Sequence, residues 1–197
     1  MTIKWRYSGM FLIVSILMLC ILGLGSQWFN PFLQFDRASV NEGEWWRILT
    51  AHFVHLNGYH LLLNIIGFMV CFILFGSMLT QVVWVLALVW SPLFVGLALY
   101  FFSPEVEHYV GFSGLLYGLY FLGLILCWKK ARLLHSLILA TLIWRLYTER
   151  HFSDVTDYWY GYMNINVLVD AHVYGAFCGV SFAVMILILP IRYVHNT

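Results

Sequence analysis

Gly111-Phe112-Ser113-Gly114 opens an apolar run that continues to Cys127 without a charged side chain. A second long apolar stretch carries Ala171-His172 near its start, followed by Gly175 and Gly179. Polar side chains within membrane spans are costly, face the bundle interior, and are functional candidates by default. Serine and histidine together are the minimal pairing of a nucleophile with a general base. These two stretches decide the reading of the fold: an all-α membrane protein whose helices bring Ser113 and His172 together.

The rest of the composition agrees. Of the 197 residues, 62% are hydrophobic and only 10% are Asp, Glu, Lys or Arg. An ordinary soluble domain carries about a quarter charged residues, so that class is excluded. The net charge of +1 and the lack of a basic run beyond Lys129-Lys130 with Arg132 give nucleic-acid binding no support. Cys20, Cys71, Cys127 and Cys178 each lie in an apolar stretch with neither framework nor metal spacing, and they read as buried thiols.

A bilayer-spanning helix needs about 20 apolar residues. Six stretches approach this, at about 8–25, 59–79, 81–102, 112–128, 131–147 and 167–190, giving a six-transmembrane-helix bundle in one domain over 1–197. The fifth is the weakest, being short and carrying Arg145 near its end. Lys4 and Arg6 before the first stretch, with Gly23-Leu24-Gly25 after it, imitate a signal peptide, but five further spans favour a retained anchor. Lys4, Arg6, Lys129, Lys130, Arg132 and Arg192 fall on one side of the six-span arrangement. Arg37, Arg47, Arg145, Arg150 and all the acidic residues fall on the other. The positive-inside rule then places both termini in the cytoplasm. Spans two, four and six run inward from the outer face, and their early turns carry His60 and Asn64, then Ser113, then His172. At about 1.5 Å per residue, these four side chains share a depth of roughly 5–10 Å below the outer interface.

Each side chain has a bland reading as well as a chemical one. Gly111, Gly114, Gly118 and Gly123 surround the serine, and Ala171, Gly175, Gly179 and Ala183 form a small-residue ridge on the last span. Ridges of this kind let helix backbones approach closely, and they occur in plain packing too. Tyr117, one turn below Ser113, is placed to pack under the imidazole of His172 or simply to fill the core. Asp170 is two residues from His172 and points away from it, so a dyad is expected, with Asp170 capping its helix or bonding a loop. His60 and Asn64 share one face and suit an oxyanion site, although an interhelical hydrogen bond is a serious rival for Asn64. His55 is expected to make a structural hydrogen bond. His52, His55 and His60 also invite haem or metal ligation, but no H-E-x-x-H pattern accompanies them. Leu115 breaks the G-x-S-x-G elbow of soluble hydrolases.

G-x-S-G at Gly111–Gly114, Tyr117, A-H-x-x-G-x-x-x-G from Ala171 to Gly179, and H-x-x-x-x-H-x-x-x-N at His55, His60 and Asn64, with Trp46-Arg47 upstream, resemble the rhomboid family of intramembrane serine proteases. The resemblance covers essentially the whole chain. It implies Ser113 as nucleophile, His172 as base, His60 and Asn64 at the oxyanion, supporting roles for Tyr117, Gly111, Gly114, Gly175 and Gly179, and neither a cofactor nor a metal. One departure is Ala51, where many rhomboids have a histidine. The short chain and the run Glu44-Trp45-Trp46-Arg47-Ile48-Leu49-Thr50 look most like the bacterial rhombosortase branch, although members of that branch often place histidine where Tyr117 stands. That branch implies a bacterial inner-membrane location, a site open to the periplasmic side, and membrane-anchored protein substrates with a C-terminal Gly-Gly, hydrophobic, basic sorting tail. Lateral entry past the fifth span, near Trp144 and Leu146, is expected. The alternatives are an inactive rhomboid-like client-binding protein and a haem- or metal-binding membrane protein.

Overall fold

The computed structural model describes residues 2–152, 168–189 and 193. Arg192 and both ends of the 167–190 stretch therefore lie outside the described residues. Among the described residues the fold is all-α apart from one two-residue strand pair. Six helices of 14 residues or more are present among the described residues: α1 (Thr2–Leu24), α5 (Gly58–Phe75), α6 (Gln81–Phe102), α7 (Ser113–Leu126), α8 (Arg132–His151) and α9 (Val169–Ile188). Between α1 and α5 lie α2 (Ser26–Leu33), β1 (Phe35–Asp36), α3 (Arg37–Asn41) and α4 (Arg47–Thr50), while β2 (His108–Tyr109) precedes α7.

Among the described residues, three helices are long and apolar enough to cross a membrane: α5, α6 and α9. A fourth span is formed if α1 and α2, bent by 94° at Gly25, are counted as one. The remaining two fall short for different reasons. Helix α7 has only 14 residues, because Gly111 takes a positive φ of 126° and delays the helix until Ser113. Helix α8 is long enough but carries Arg145, Glu149 and Arg150 in its last two turns. The chain is thus a multi-pass membrane protein with three to four apolar spans by this measure, short of the six expected from hydropathy.

Short elements between α1 and α5 form a ledge pinned to the bundle by two arginines. The Arg37 guanidinium donates to the carbonyls of Leu99, Tyr100, Ser103 and Val106 at 2.8–3.0 Å, satisfying the acceptors that end α6. Arg47 is buried, pairs with Glu44, and donates to the carbonyls of Gln34 and Pro31 at 3.0 and 2.9 Å. Asp36 Oδ1 accepts the Ser39 N–H at 2.8 Å, which caps α3 and holds that carboxyl below its usual range. Antiparallel pairing of Phe35 with Tyr109 and of Asp36 with His108 then ties the ledge to the segment leading into α7.

The core lies between α5, α6, α7 and α9. Phe68, Phe75, Leu115, Leu122, Ala183 and Ile186 are among its fully enclosed members. Helices α7 and α9 meet backbone to backbone. A Cβ at Gly175 would collide with the carbonyl oxygen of Gly114, and one at Gly179 with that of Gly118. Lipid tails supply no hydrophobic drive between helices, so close packing of this kind carries the association.

Candidate active site

Residues Val110–Gly114 enter α7 through a turn held from two sides. The Gly111 N–H donates to the Ala51 carbonyl at 3.0 Å, and the Tyr109 hydroxyl donates to the Gly111 carbonyl at 2.7 Å. Glycine is required at 111 by its φ and by space, since a Cβ there would stand 2.5 Å from His60 Cε1. Ser113 is therefore presented at the first turn of α7, directly behind a rigid loop. The departure at Ala51 falls on a residue that serves this loop through its backbone carbonyl.

His172 sits in the first turn of α9, 3% exposed. Its Nε2 lies 2.9 Å from Ser113 Oγ, within hydrogen-bonding distance. Tyr117 stacks on the imidazole, with ring centroids 4.6 Å apart and planes 27° from parallel. The approach that permits this geometry is the Gly114–Gly175 contact one turn away. Ser113, Tyr117 and His172 are thus brought together by α7 and α9 alone.

His60 and Asn64 lie on α5, both buried. The start of α5 is set by Asn57, whose side chain accepts the His60 N–H at 3.0 Å. His60 packs against Gly111, at the loop before the serine. Among the described residues, His60 Nδ1 and Asn64 Nδ2 are buried polar atoms with no protein partner. Buried polar atoms are normally satisfied, and each exception calls for an explanation.

The other histidines are placed differently. His55 is fully buried and its ring meets that of His60 edge-on at 5.2 Å. The structural hydrogen bond at this residue is made by its carbonyl, which accepts from Asn30 Nδ2 at 2.9 Å, rather than by the ring. His52 packs edge-on against Tyr109. Among the described residues, no three His, Cys, Asp or Glu side chains converge as a metal-ligand set.

Asp170 turns away from His172. Its carboxylate accepts from Ser103 Oγ and from Arg150 Nη1, each at 2.8 Å, linking α9 to the ends of α6 and α8. A different carboxylate occupies the far side of the imidazole. Glu149 Oε2 lies 2.7 Å from His172 Nδ1, and Arg145 Nε donates to Glu149 Oε1 at 2.8 Å. Sequence reasoning misses Glu149 because it falls just beyond the fifth stretch, 131–147, among the charged residues at that end. The available signal was its spacing: Glu149 lies four residues beyond Arg145, on the same helix face. Of the two residues expected at lateral entry, Trp144 is exposed while Leu146 packs toward Tyr117 and Phe121.

No curated protein sequence matches the chain. A family model described as the Rhomboid domain matches residues 42–189, which takes in α4, α5 to α9 and Ser113, His172, His60, Asn64, Tyr117 and Glu149. The chain belongs to the rhomboid family, a family known for intramembrane serine proteases.

Proposed function

We propose that this chain is an intramembrane serine endopeptidase that uses Ser113 as nucleophile and His172 as general base. The observation that carries the reading is the 2.9 Å approach of His172 Nε2 to Ser113 Oγ. As Oγ attacks the scissile carbonyl, its proton passes to Nε2 and the carbonyl electron pair moves onto oxygen. Collapse of the tetrahedral species breaks the C–N bond, and the imidazolium returns the proton to the leaving amine. Water then enters by the same route in reverse, with His172 again as base. His60, Asn64 and the backbone around Ser113 are suited to stabilising the oxyanion. Inactive client binding is less well supported, because such a role gives no reason to keep a serine and an imidazole in hydrogen-bonding register.

We also read the full bundle as six spans, with α7 and α8 completing it, both termini on the cytoplasmic side and the site near the outer face of a bacterial inner membrane. The charge pattern supports this orientation. Arg37, Arg47, Arg145 and Arg150 are all engaged in hydrogen bonds or ion pairs at the site end of the bundle, whereas Lys129, Lys130 and Arg132 are exposed at the other. The substrates are membrane-anchored proteins, and the rhombosortase-like reading assigns them a C-terminal Gly-Gly, hydrophobic, basic tail. The test is a pair of membrane-anchored reporters, one with that tail and one with its Gly-Gly replaced by Leu-Leu, incubated with the purified protein in liposomes. Cleavage confined to the first is expected. Cleavage of neither, with no reaction of Ser113 with a fluorophosphonate, would overturn the protease reading, and equal cleavage of both would overturn the sorting-tail specificity.

Asn64 separates transition-state stabilisation from packing. Asn64→Ala should lower kcat by about 10²–10³ if its amide donates to the oxyanion, with Tm little changed, because the amide nitrogen has no protein partner to lose among the described residues. Steady-state kinetics beside a thermal melt decide it. Near-normal turnover with a large drop in Tm would assign Asn64 to packing instead.

A further inference from the structure

Every group in the proposed mechanism comes from α5, α7 and α9, yet the imidazole is bonded on its far side to a carboxylate from α8. Glu149 is 4% exposed although it is an acidic residue in the last turn of a helix whose neighbouring side chains are largely exposed. Only it and His135 are buried on α8. A carboxylate enclosed in this way is strongly destabilising unless paired. Both of its oxygens have partners: Oε2 is 2.7 Å from His172 Nδ1, and Oε1 accepts from Arg145 Nε at 2.8 Å.

We propose that Glu149 is a positioning residue that extends the Ser113–His172 pair into a three-membered hydrogen-bonded array. This rests on the protease reading above. The carboxylate accepts the proton on Nδ1, which leaves the Nε2 lone pair facing Ser113. It also stabilises the imidazolium formed when Oγ attacks. Glu149 stays ionised throughout: the proton moves from Oγ to Nε2 and on to the leaving amine, and the Nδ1 proton does not leave the ring. The general logic is that of a buried acid fixing the tautomer and orientation of a catalytic histidine. Here the acid arrives on a separate helix. Arg150, the next residue, pairs with Asp170 on α9 at 2.8 Å, so two consecutive residues fasten the end of α8 beside His172. Activity therefore depends on α8 remaining docked.

The Arg145 bond makes the proposal sharp. Arginine only donates, so in Glu149→Gln the amide oxygen stays on Arg145 and the NH₂ group turns to His172 Nδ1. That group donates and forces the proton onto Nε2, where the imidazole no longer accepts from Ser113. The substitution closest in shape is then the most damaging one. Glu149→Gln should lose about 10³–10⁴ in kcat, with KM within about threefold, and should be at least as impaired as Glu149→Ala. Adding Arg145→Met frees the glutamine to turn its oxygen to Nδ1, and the double variant should recover at least about tenfold over Glu149→Gln alone. A merely structural ion pair predicts the reverse order, with Gln the mildest change and the double variant the least stable.

The experiment is kinetics of the three variants in liposomes, with ¹⁵N NMR of histidine-labelled wild-type protein at mildly alkaline pH, the His172 signal being assigned by its loss in His172→Gln. A proton on Nδ1 in the wild type is expected. Wild-type protonation on Nε2, full turnover by Glu149→Gln, or a double variant no better than Glu149→Gln would each overturn the positioning role of Glu149. The NMR result stands even where a variant fails to fold. If Ser113→Ala turns over as fast as wild type, the protease reading itself fails, and the spectrum still reports on the Glu149–His172 bond independently.

Discussion

Ser113→Ala and His172→Ala are each expected to abolish peptide-bond cleavage, by on the order of 10⁵–10⁶ in kcat, while leaving the bundle folded. Among the described residues the Ser113 hydroxyl bonds to His172 Nε2 alone, so its removal leaves little else unsatisfied. The double variant should be scarcely worse than either single one, because nucleophile and base act as a unit. A fluorophosphonate should label the wild type, fail on Ser113→Ala for want of the atom it attacks, and react slowly with His172→Ala. Helical content and Tm of Ser113→Ala should match wild type. His172→Ala removes one partner of a buried carboxylate, and a lower Tm is expected for it. Appreciable turnover by purified Ser113→Ala would remove the central claim.

These residues were accessible from sequence because membrane helices impose strong constraints on it. An apolar run must be a helix, since no other open structure satisfies its backbone in lipid. The stretch read as 81–102 is the helix Gln81–Phe102, and that read as 112–128 contains Ser113–Leu126. Once three runs are assigned the same direction, polar residues in their first turns must share a depth. His60, Asn64, Ser113 and His172 followed from that geometry without any knowledge of packing. The glycine ridge supplied the one further fact needed, that α7 and α9 come close.

What hydropathy could not reveal lies where charge and packing compete. Hydropathy falls away where Arg145, Glu149 and Arg150 gather, and the fifth stretch, read as 131–147, stops two residues before Glu149. The helix continues to His151 because Glu149 is paired with Arg145 along the helix and with His172 across to α9, 23 residues later in the chain. Only folding creates the second of these pairs. The ledge was hidden for a related reason. Its elements α2, α3 and α4 have 8, 5 and 4 residues, too short for any periodicity to register. They are held by Arg37 and Arg47 on backbone carbonyls. In a count of loop charges these two arginines look like free cations, whereas in the fold they are fasteners.

Gly175→Val should be nearly as damaging as loss of the nucleophile, although residue 175 contributes no chemistry. A Cβ at this position would collide with the Gly114 carbonyl and sit 3.2 Å from Tyr117 Cβ. The first obstacle is backbone, which no rotamer change can move aside, so α9 must withdraw from α7 or rotate. His172 lies three residues earlier on the same helix and moves with it. Displacing a reacting group by about 1 Å costs on the order of 10²-fold in rate, and valine requires more than that, so a loss of about 10³-fold or greater is expected in both turnover and fluorophosphonate labelling. Overpacking also costs about 1–3 kcal/mol, so Tm should fall while helical content persists. The comparison position is Gly9 in α1, where a Cβ meets nothing within 4 Å. Gly123 is no neutral control, since a Cβ there would stand 2.5 Å from Phe75 Cδ2. Gly9→Val should keep near-normal turnover. Full labelling and turnover in Gly175→Val would mean that the backbone contact between α7 and α9 does not set the reach of His172 to Ser113.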